Sequence, residues 1–530
     1  MDMTEYWKAD NFAVLKETML PVAIREMQGV ENAELLYERK YTAVSFKKEN
    51  CASFTGKGSY VLLDFGKELC GGIRIITRAA TNLSKFRITL GESYAEASAE
   101  LGYKNAGNDH SPRDFEVNVP LMSDLTFGQS GFRFAKIELL EETPVQVKCI
   151  LAVNTLPYFE KEAVIKTSDE ELNRILDTAA YTLKLNLQNG FIFDGIKRDR
   201  LVWCGDLHQE ILNSLYLFGD NHNVTNSLSF LKEETDAYEW INTIPSYSAW
   251  WVINLCDYCK LTGNDPYFEE NKEYAKDILR HFDECISEDG TMQFGPNANE
   301  FFLDWPTKGS DDAVIGTAMI ILLAAKKYVE KESFEVGERL IEKLSPYLEK
   351  ECVSKQARAI QIIAGRCADG EAAALEKGGA EGLSTFMAYY ILTADAMAGG
   401  KEMLSMIKTY YGAMLSRGAT TFWEDFDMSW LEGSGRIDEL PKEGERDIHG
   451  DYGAYCYIGF RHSLCHGWAS GVLAFFIEHM VGLTLSDGGE CYEVHPNTYG
   501  IEDIYVKLPT KKGWLEIEVH EGEVQSRYLQ

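Results

Sequence analysis

TSDEELNRILDTAAYTLKLNL, residues 167–187, is where the sequence changes its period. Ser168 reads as an N-cap followed by acids, and from there apolar residues recur every three or four positions, as on one face of a helix. Upstream, from about residue 40 to 155, apolar and polar residues alternate in SYVLLDF, GGIRIIT, KFRITLGE, DFEVNV, FRFAKIELL and VQVKCILAV, with Gly, Asn and Ser between them. That alternation predicts a β-sandwich. Downstream, helical stretches are predicted near 206–218, 222–237, 248–261, 268–284, 311–331, 335–350, 355–366, 384–398, 400–417 and 462–480. With the first they suit a toroid of antiparallel helix pairs whose long loops line one end. An α-solenoid is the alternative, but no repeat period supports it. After Leu483 strands return in CYEVHP, DIYVKLP and GWLEIEVHEG. The expected division is residues 1–163 (sandwich), 164–483 (helical) and 484–530 (a small β-unit).

The whole chain has 530 residues, enough for two or three domains. Its 52 Lys and Arg against 83 Asp and Glu give a net charge of −31, which argues against nucleic acid and anionic membranes as partners. Aromatics make up 12% of the residues. Flat, half-polar rings fill cores, and they also stack on sugars. The N-terminus, MDMTEYWKADNFAVLKE, lacks the basic start and apolar stretch of a secretory leader, so a cytoplasmic location is expected. The longest apolar run, Ala313–Ala325, falls short of the roughly 18 residues of a membrane span. Twelve cysteines are scattered; the closest pair, Cys256 and Cys259, has no second pair to complete a zinc site, so reduced thiols are expected.

Chemistry concentrates in Phe191–Asp206. Asp194, Asp199 and Asp206 share thirteen positions with Lys197, Arg198, Arg200 and Trp203, and apolar residues interrupt the charges. A solvated salt-bridge network and a partly buried active site both fit. In the second case a carboxyl against an apolar wall would have its pKa raised, while guanidinium groups keep others ionised. A second segment, GATTFWEDFDMSW (418–430), sets Glu424 among Phe422, Trp423, Phe426 and Trp430. It is either core with a capping acid or a base beside a ring-binding platform. Two carboxyls, one from each segment, could flank a sugar as glycoside hydrolysis requires. Phe301–Pro306, with Asp304 and Trp305, downstream of Trp240, Tyr247, Trp250 and Trp251, forms a third set, and His449, Asp451 and Tyr452 through His462, His466 and Trp468 a fourth. His462 and His466 have the spacing of a metal pair, but HSLCH lacks a zinc-peptidase glutamate. No metal and no cofactor are expected. Phosphate-cradling, nucleophile-elbow and dinucleotide-binding motifs are missing from the sequence.

At these segments the chain resembles the α-L-rhamnosidases of glycoside hydrolase family 78. The likeness rests on Asp194, Arg198, Asp199, Trp203, Gly205 and Asp206 in DGIKRDRLVWCGD, on GATTFWEDFD and on SLCHGWASG, with LDFGKELCGG and LGESYAE resembling the preceding sandwich. It implies a multidomain, mainly α protein: an (α/α)6 barrel flanked by an N-terminal β-sandwich and a small C-terminal β-unit. It further implies hydrolysis with inversion. By position, Asp199 falls on the general acid and Glu424 on the general base, with Asp194, Arg198, Trp203, Asp206 and His466 on sugar contacts, and Asp304, Trp305 and Trp423 beside them. The family's acid is typically Glu, and Asp199 is one methylene shorter. The expected substrate is a small oligosaccharide or glycoside with terminal α-L-rhamnose. A different sugar on the same barrel, a sugar-binding protein without turnover, and a helical scaffold binding a basic protein are the alternatives.

Overall fold

The computed structural model describes residues 13–37, 41–79, 83–296, 298–299, 301–455 and 457–529. The first part of the leader reading, residues 1–12, and Cys456 lie outside these. The alternating stretches form an antiparallel network in the order Val30–Glu31, Ala52–Phe54, Val145–Pro157, Tyr60–Thr77, Asp124–Leu139, Ser84–Gly91 and Asp114–Val119. Val14–Met19 pairs with Val145–Pro157, and Ala23–Gln28 with Tyr60–Thr77. SYVLLDF and GGIRIIT, read separately above, are one strand whose register breaks after Asp64 and after Gly71 let it bend. Its first part pairs with Ala23–Gln28 and its second with Val145–Pro157, so the network folds into a sandwich. A Cβ at Gly71 would stand 1.8 Å from the Val153 carbonyl oxygen, which is why the second part needs glycine. Phe54 meets Phe86 and Phe65 meets Phe132 edge to face in the core, at 5.5 and 6.0 Å.

The change of period at 167 is a change of structure. Glu170–Asn186 is a helix whose buried Leu172, Ile175, Leu176, Ala179 and Leu183 follow the expected spacing. Its cap is Asp169 rather than Ser168: Asp169 accepts from the Leu172 N–H, while the Ser168 hydroxyl accepts from the Asp503 N–H and is committed to another sheet. That sheet orders Val164–Thr167, Asp503–Thr510, Gly513–His520 and Glu523–Leu529, so the C-terminal unit takes an edge strand from ahead of the first helix. Leu483–Ser486 and Cys491–Val494 form a separate hairpin.

The helices fall into two kinds. Leu207–Phe218, Pro245–Thr262, Asp311–Lys331, Lys355–Ala364, Ala388–Met397 and Val472–Phe475 pack each on the next, and the last on the first. Leu207–Phe218 is buried all round, and Pro245–Thr262 nearly so. His222–Glu234, Asp265–Cys285, Glu335–Leu344 and Met403–Ser416 bury one face only, as helices on the outside of a layer do. Among the described residues no helix is long and apolar enough to cross a membrane.

The helix expected over 462–480 is shorter than its pattern. Gly467–Ser470 is a 3-10 turn, Val472–Phe475 is α-helical and Phe476–Met480 widens to a π-turn, while 462–466 is not helical. The amides of Ser463, Leu464, His466 and Gly467 donate to Glu424, Glu92, Phe422 and Asp194 instead of to the preceding turn.

Candidate active site

The 194–206 loop closes on itself because Asp194 gathers its amides. Asp194 Oδ1 accepts from the Leu201 N–H and Oδ2 from the Asp199 N–H, each at 2.9 Å. Its backbone carbonyl accepts from the Gly467 N–H at 2.7 Å, tying the loop to the histidine segment. Burial pushes the Asp194 carboxyl up to about 7; His466 opposes the shift, and Asp206 and Asp199 add to it.

That closure brings Arg198 and Asp199 to one cavity. Arg198 Nη2 donates to Glu424 Oε1 at 2.9 Å, and its Nε lies 3.4 Å from Asp199 Oδ1. One guanidinium therefore contacts both carboxyl groups expected as acid and base, and it lies 4.9 Å from the centre of the Tyr457 ring. Glu424 is held at every polar atom. Its Oε2 accepts from the Ser463 N–H at 2.9 Å, its N–H donates to the Ser463 carbonyl, and its carbonyl accepts from the Thr385 hydroxyl and the Trp468 indole N–H.

His466 stands between the two segments, with Nε2 3.2 Å from Asp206 Oδ2 and Nδ1 3.8 Å from Glu424 Oε1. Burial disfavours the imidazolium, but Glu424, Asp206 and Asp194 outweigh it and His466 is raised. Asp206, raised by burial, accepts from the Tyr247 hydroxyl at 3.1 Å. Beneath them Glu210 is fully buried and without a hydrogen-bond partner among the described residues. Burial, then Asp206 and Asp194, raise it well above the carboxylate range.

These groups line a cavity of about 390 Å³, with Asp194, Arg198, Asp199, Asp206, Glu424 and His466 on its polar side. Trp203, Trp305, Tyr457 and Trp468 form much of the rest; the Trp305 indole N–H donates to the Tyr457 hydroxyl at 2.6 Å. Two expected contact residues, Asp304 and Trp423, do not line the cavity. Asp304 caps the Trp305–Thr307 turn, accepting from the Trp305 N–H and the Ser384 hydroxyl, so it orients Trp305 instead of reaching the cavity. Burial pushes its carboxyl up to about 6. Trp423 is buried against Phe426, its ring 5.7 Å away and edge on.

The histidine pair separates. His462 Nε2 accepts from the Asp425 N–H at 2.8 Å and so fixes the backbone next to Glu424, while His466 faces the cavity. Cys256 and Cys259 lie buried on Pro245–Thr262, and the eleven described cysteines are free thiols.

Several lining residues went unread in the sequence. Tyr457 and Arg461 lie inside the set running from His449 to Trp468 but were not singled out, and Lys308 lies just after Trp305; closeness to those motifs was the available signal. His110 had none. It belongs to a sandwich loop, yet its Nε2 lies 2.9 Å from Asp199 Oδ1. The sandwich also supports the cavity from behind. Lys197 Nζ, buried, meets Glu92 Oε2 at 2.9 Å and Glu96 Oε1 at 3.3 Å and donates to the Phe460 and His462 carbonyls. Burial opposes its charge, but Glu92 and Glu96 outweigh it and Lys197 is raised. Glu92, Glu96 and His449 have the spacing of a metal cluster, and the Lys197 ammonium supplies the positive charge there. Glu92 also accepts from the Leu464 N–H and the Ser463 hydroxyl, next to the amide that holds Glu424.

The fold is a helical domain behind a β-sandwich, with a carboxylate-lined cavity. Residues 160–338 match the family model described as the bacterial alpha-L-rhamnosidase 6 hairpin glycosidase domain, and the resemblance drawn from DGIKRDRLVWCGD holds. The match contains that loop and Trp305; Glu424 and His466 lie beyond it. Among solved structures the chain is similar to the family 78 rhamnosidase of Bacillus sp. GL1, at 18% identity and TM-score 0.68 over 87% of this chain and 50% of that one. It is similar to a rhamnosidase from Klebsiella oxytoca with rhamnose bound, at 18% identity and TM-score 0.67 over 88% of this chain and 96% of that one. It is also similar to the Streptomyces avermitilis α-L-rhamnosidase complexed with L-rhamnose, at 12% identity and TM-score 0.66 over 97% and 48%. The chain thus spans half the length of the Bacillus protein and nearly all of the Klebsiella one. No curated protein matches the sequence.

Proposed function

We propose that the protein is a glycoside hydrolase that removes terminal α-L-rhamnose from small oligosaccharides or glycosides with inversion, on an (α/α)6 barrel. The observation that carries the reading is Arg198, which contacts Asp199 and Glu424 in one cavity walled by His466, Trp203 and Trp305. The circuit of six buried helices, each packed on the next, supports the barrel. A cavity of about 390 Å³ suits one sugar residue and little more, which supports small substrates.

In this reading Asp199 protonates the departing glycosidic oxygen while Glu424 takes a proton from a water attacking the opposite face of the ring. Inverting enzymes keep the two carboxyls roughly 6.5–9.5 Å apart to admit that water. Arg198 between them supports such a spacing. It also orients Glu424 together with the Ser463 N–H, and His466 with Asp206 offers hydrogen bonds to sugar hydroxyls. The free thiols of the described cysteines support action in a reducing compartment, the cytoplasm.

The test is hydrolysis of an aryl α-L-rhamnoside by the wild-type chain and by Asp199→Asn and Glu424→Gln. Release by the wild type, with losses of roughly 10²–10⁴ in each variant, is the expected result. Wild-type turnover in either variant removes that residue from its role. Release from another aryl glycoside alone reassigns the sugar, and calorimetric rhamnose binding without release from pH 4 to 9 makes the protein a sugar binder. Asp199 beside His110 and Arg198, with the shorter side chain, is the observation that favours that second reading.

A further inference from the structure

A second cavity, of about 320 Å³, lies elsewhere among the buried helices. Asp206 and Tyr247 line the first; His208, Trp250 and Asp257, further along the same two helices, line the second. Five members of the helical circuit contribute to it, with Glu478 and His479 from the π-turn that follows the sixth, and the Leu483–Ser486 strand borders it.

Its wall is aromatic on one side. The His208 ring lies 5.0 Å from Trp250 and stacks on Tyr390 at 5.7 Å, and Trp250 and Tyr390 are 5.3 Å apart. The charges around this wall are matched in place. Lys327 Nζ meets Asp257 Oδ1 at 2.6 Å, and Asp257 Oδ2 lies 3.0 Å from His208 Nε2. Burial lowers His208, so near neutrality the imidazole is uncharged, donates to Asp257 and accepts from the Tyr390 hydroxyl. Glu478 accepts from the Tyr216 and Tyr389 hydroxyls at 2.8 and 2.7 Å. Apart from Lys260 at the rim, which lies 3.9 Å from Glu330, the charges of this wall are engaged with one another or with tyrosine hydroxyls, so a neutral ligand with hydroxyls would find paired donors and acceptors.

One lining group is left over. Thr393 is 92% buried, and its hydroxyl has no partner among the described residues, although a helical threonine ordinarily bonds the carbonyl one turn back. A buried hydroxyl without a partner is unfavourable, so a ligand hydroxyl there is favoured.

We propose that this second cavity binds a neutral polyhydroxy ligand of monosaccharide size, stacked on the His208, Trp250 and Tyr390 wall and hydrogen-bonded to Thr393. The site is separate from the first cavity; no lining residue is common to both. Phe386 spans the gap, 5.0 Å from Trp468 of the first and 6.1 Å from Tyr390 of the second.

The test is calorimetric titration of the full chain with L-rhamnose, D-glucose, myo-inositol and glycerol. It is repeated on Thr393→Val, on Ile363→Trp, which fills the cavity, and on Trp305→Ala in the first cavity. The expected result is a ligand whose binding survives Trp305→Ala, weakens about tenfold in Thr393→Val and disappears in Ile363→Trp. Which ligand behaves so distinguishes a released sugar from an unrelated polyol. The proposal is overturned if no ligand binds at millimolar concentration, or if all binding is lost in Trp305→Ala and unchanged in the two second-cavity variants. Both outcomes are independent of whether the protein hydrolyses rhamnosides.

Discussion

At the scale of single residues the cavity depends on groups that never face it. Lys197 neighbours Arg198 in the chain but points the other way, into Glu92 and Glu96 of the sandwich, and Glu92 holds Leu464 and the Ser463 hydroxyl beside the amide that aims Glu424. Lys197→Met leaves Glu92 and Glu96 buried without their cation, a change that ordinarily costs about 3–5 kcal/mol. Glu92→Gln keeps an acceptor for Leu464 and loses only the charge. The expected outcome is a fall in melting temperature for Lys197→Met larger than for Glu92→Gln, with kcat on an aryl α-L-rhamnoside reduced in both and KM nearly unchanged. A KM effect with intact kcat would place these residues at the sugar instead of behind the carboxyls. The residue scale is also where the sequence was most readable for chemistry. The 194–206 loop declared itself because opposite charges and a tryptophan crowd thirteen positions. His110 and Glu210 could not be found, since one reaches Asp199 from another domain and the other looks like any acid on a helix.

At the scale of elements, period recovered most helices and the long strands, and it failed where backbone groups bond across the chain. The 462–466 stretch has helical spacing, but its amides hold Glu424, Glu92 and Phe422, and a local pattern carries no record of such partners. The cap moved from Ser168 to Asp169 for the same reason, because Ser168 is bonded to the C-terminal sheet. Val14–Met19 and Ala23–Gln28 went unread because both are largely exposed and lack a strict alternation. The π-turn Phe476–Met480 carries a consequence of its own. It buries Glu478 against two tyrosine hydroxyls, and burial pushes that carboxyl from 4.5 up to about 7. The unfolded chain gives up this proton near 4.5 and the fold near 7, so this group's contribution to stability falls as pH rises between those values and is constant outside them. Glu478→Gln removes that dependence. Denaturant unfolding at pH 5 and pH 8 should show the variant gaining about 2.5 kcal/mol on the wild type at the higher pH. An equal difference at both pH values would mean that Glu478 is not held protonated by its surroundings.

At the scale of the whole molecule, the sandwich is part of the proposed active site. Glu92, Glu96 and His110 bring it against Lys197, Asp199 and the Ser463 segment, and Glu68 adds a further tie through its N–H to the Thr420 hydroxyl. The order of domains was legible because period two, period 3.6 and period two follow one another along the chain. Their contacts were not, because a sequence read locally does not say which loop of one domain meets which loop of another. The central claim is that Asp199 and Glu424 act on opposite faces of a sugar as acid and base. Its most direct test is proton NMR of the first rhamnose released from an aryl α-L-rhamnoside, observed before the anomers equilibrate. The account predicts that the β-anomer appears first; initial release of the α-anomer, or no release at all, would contradict it.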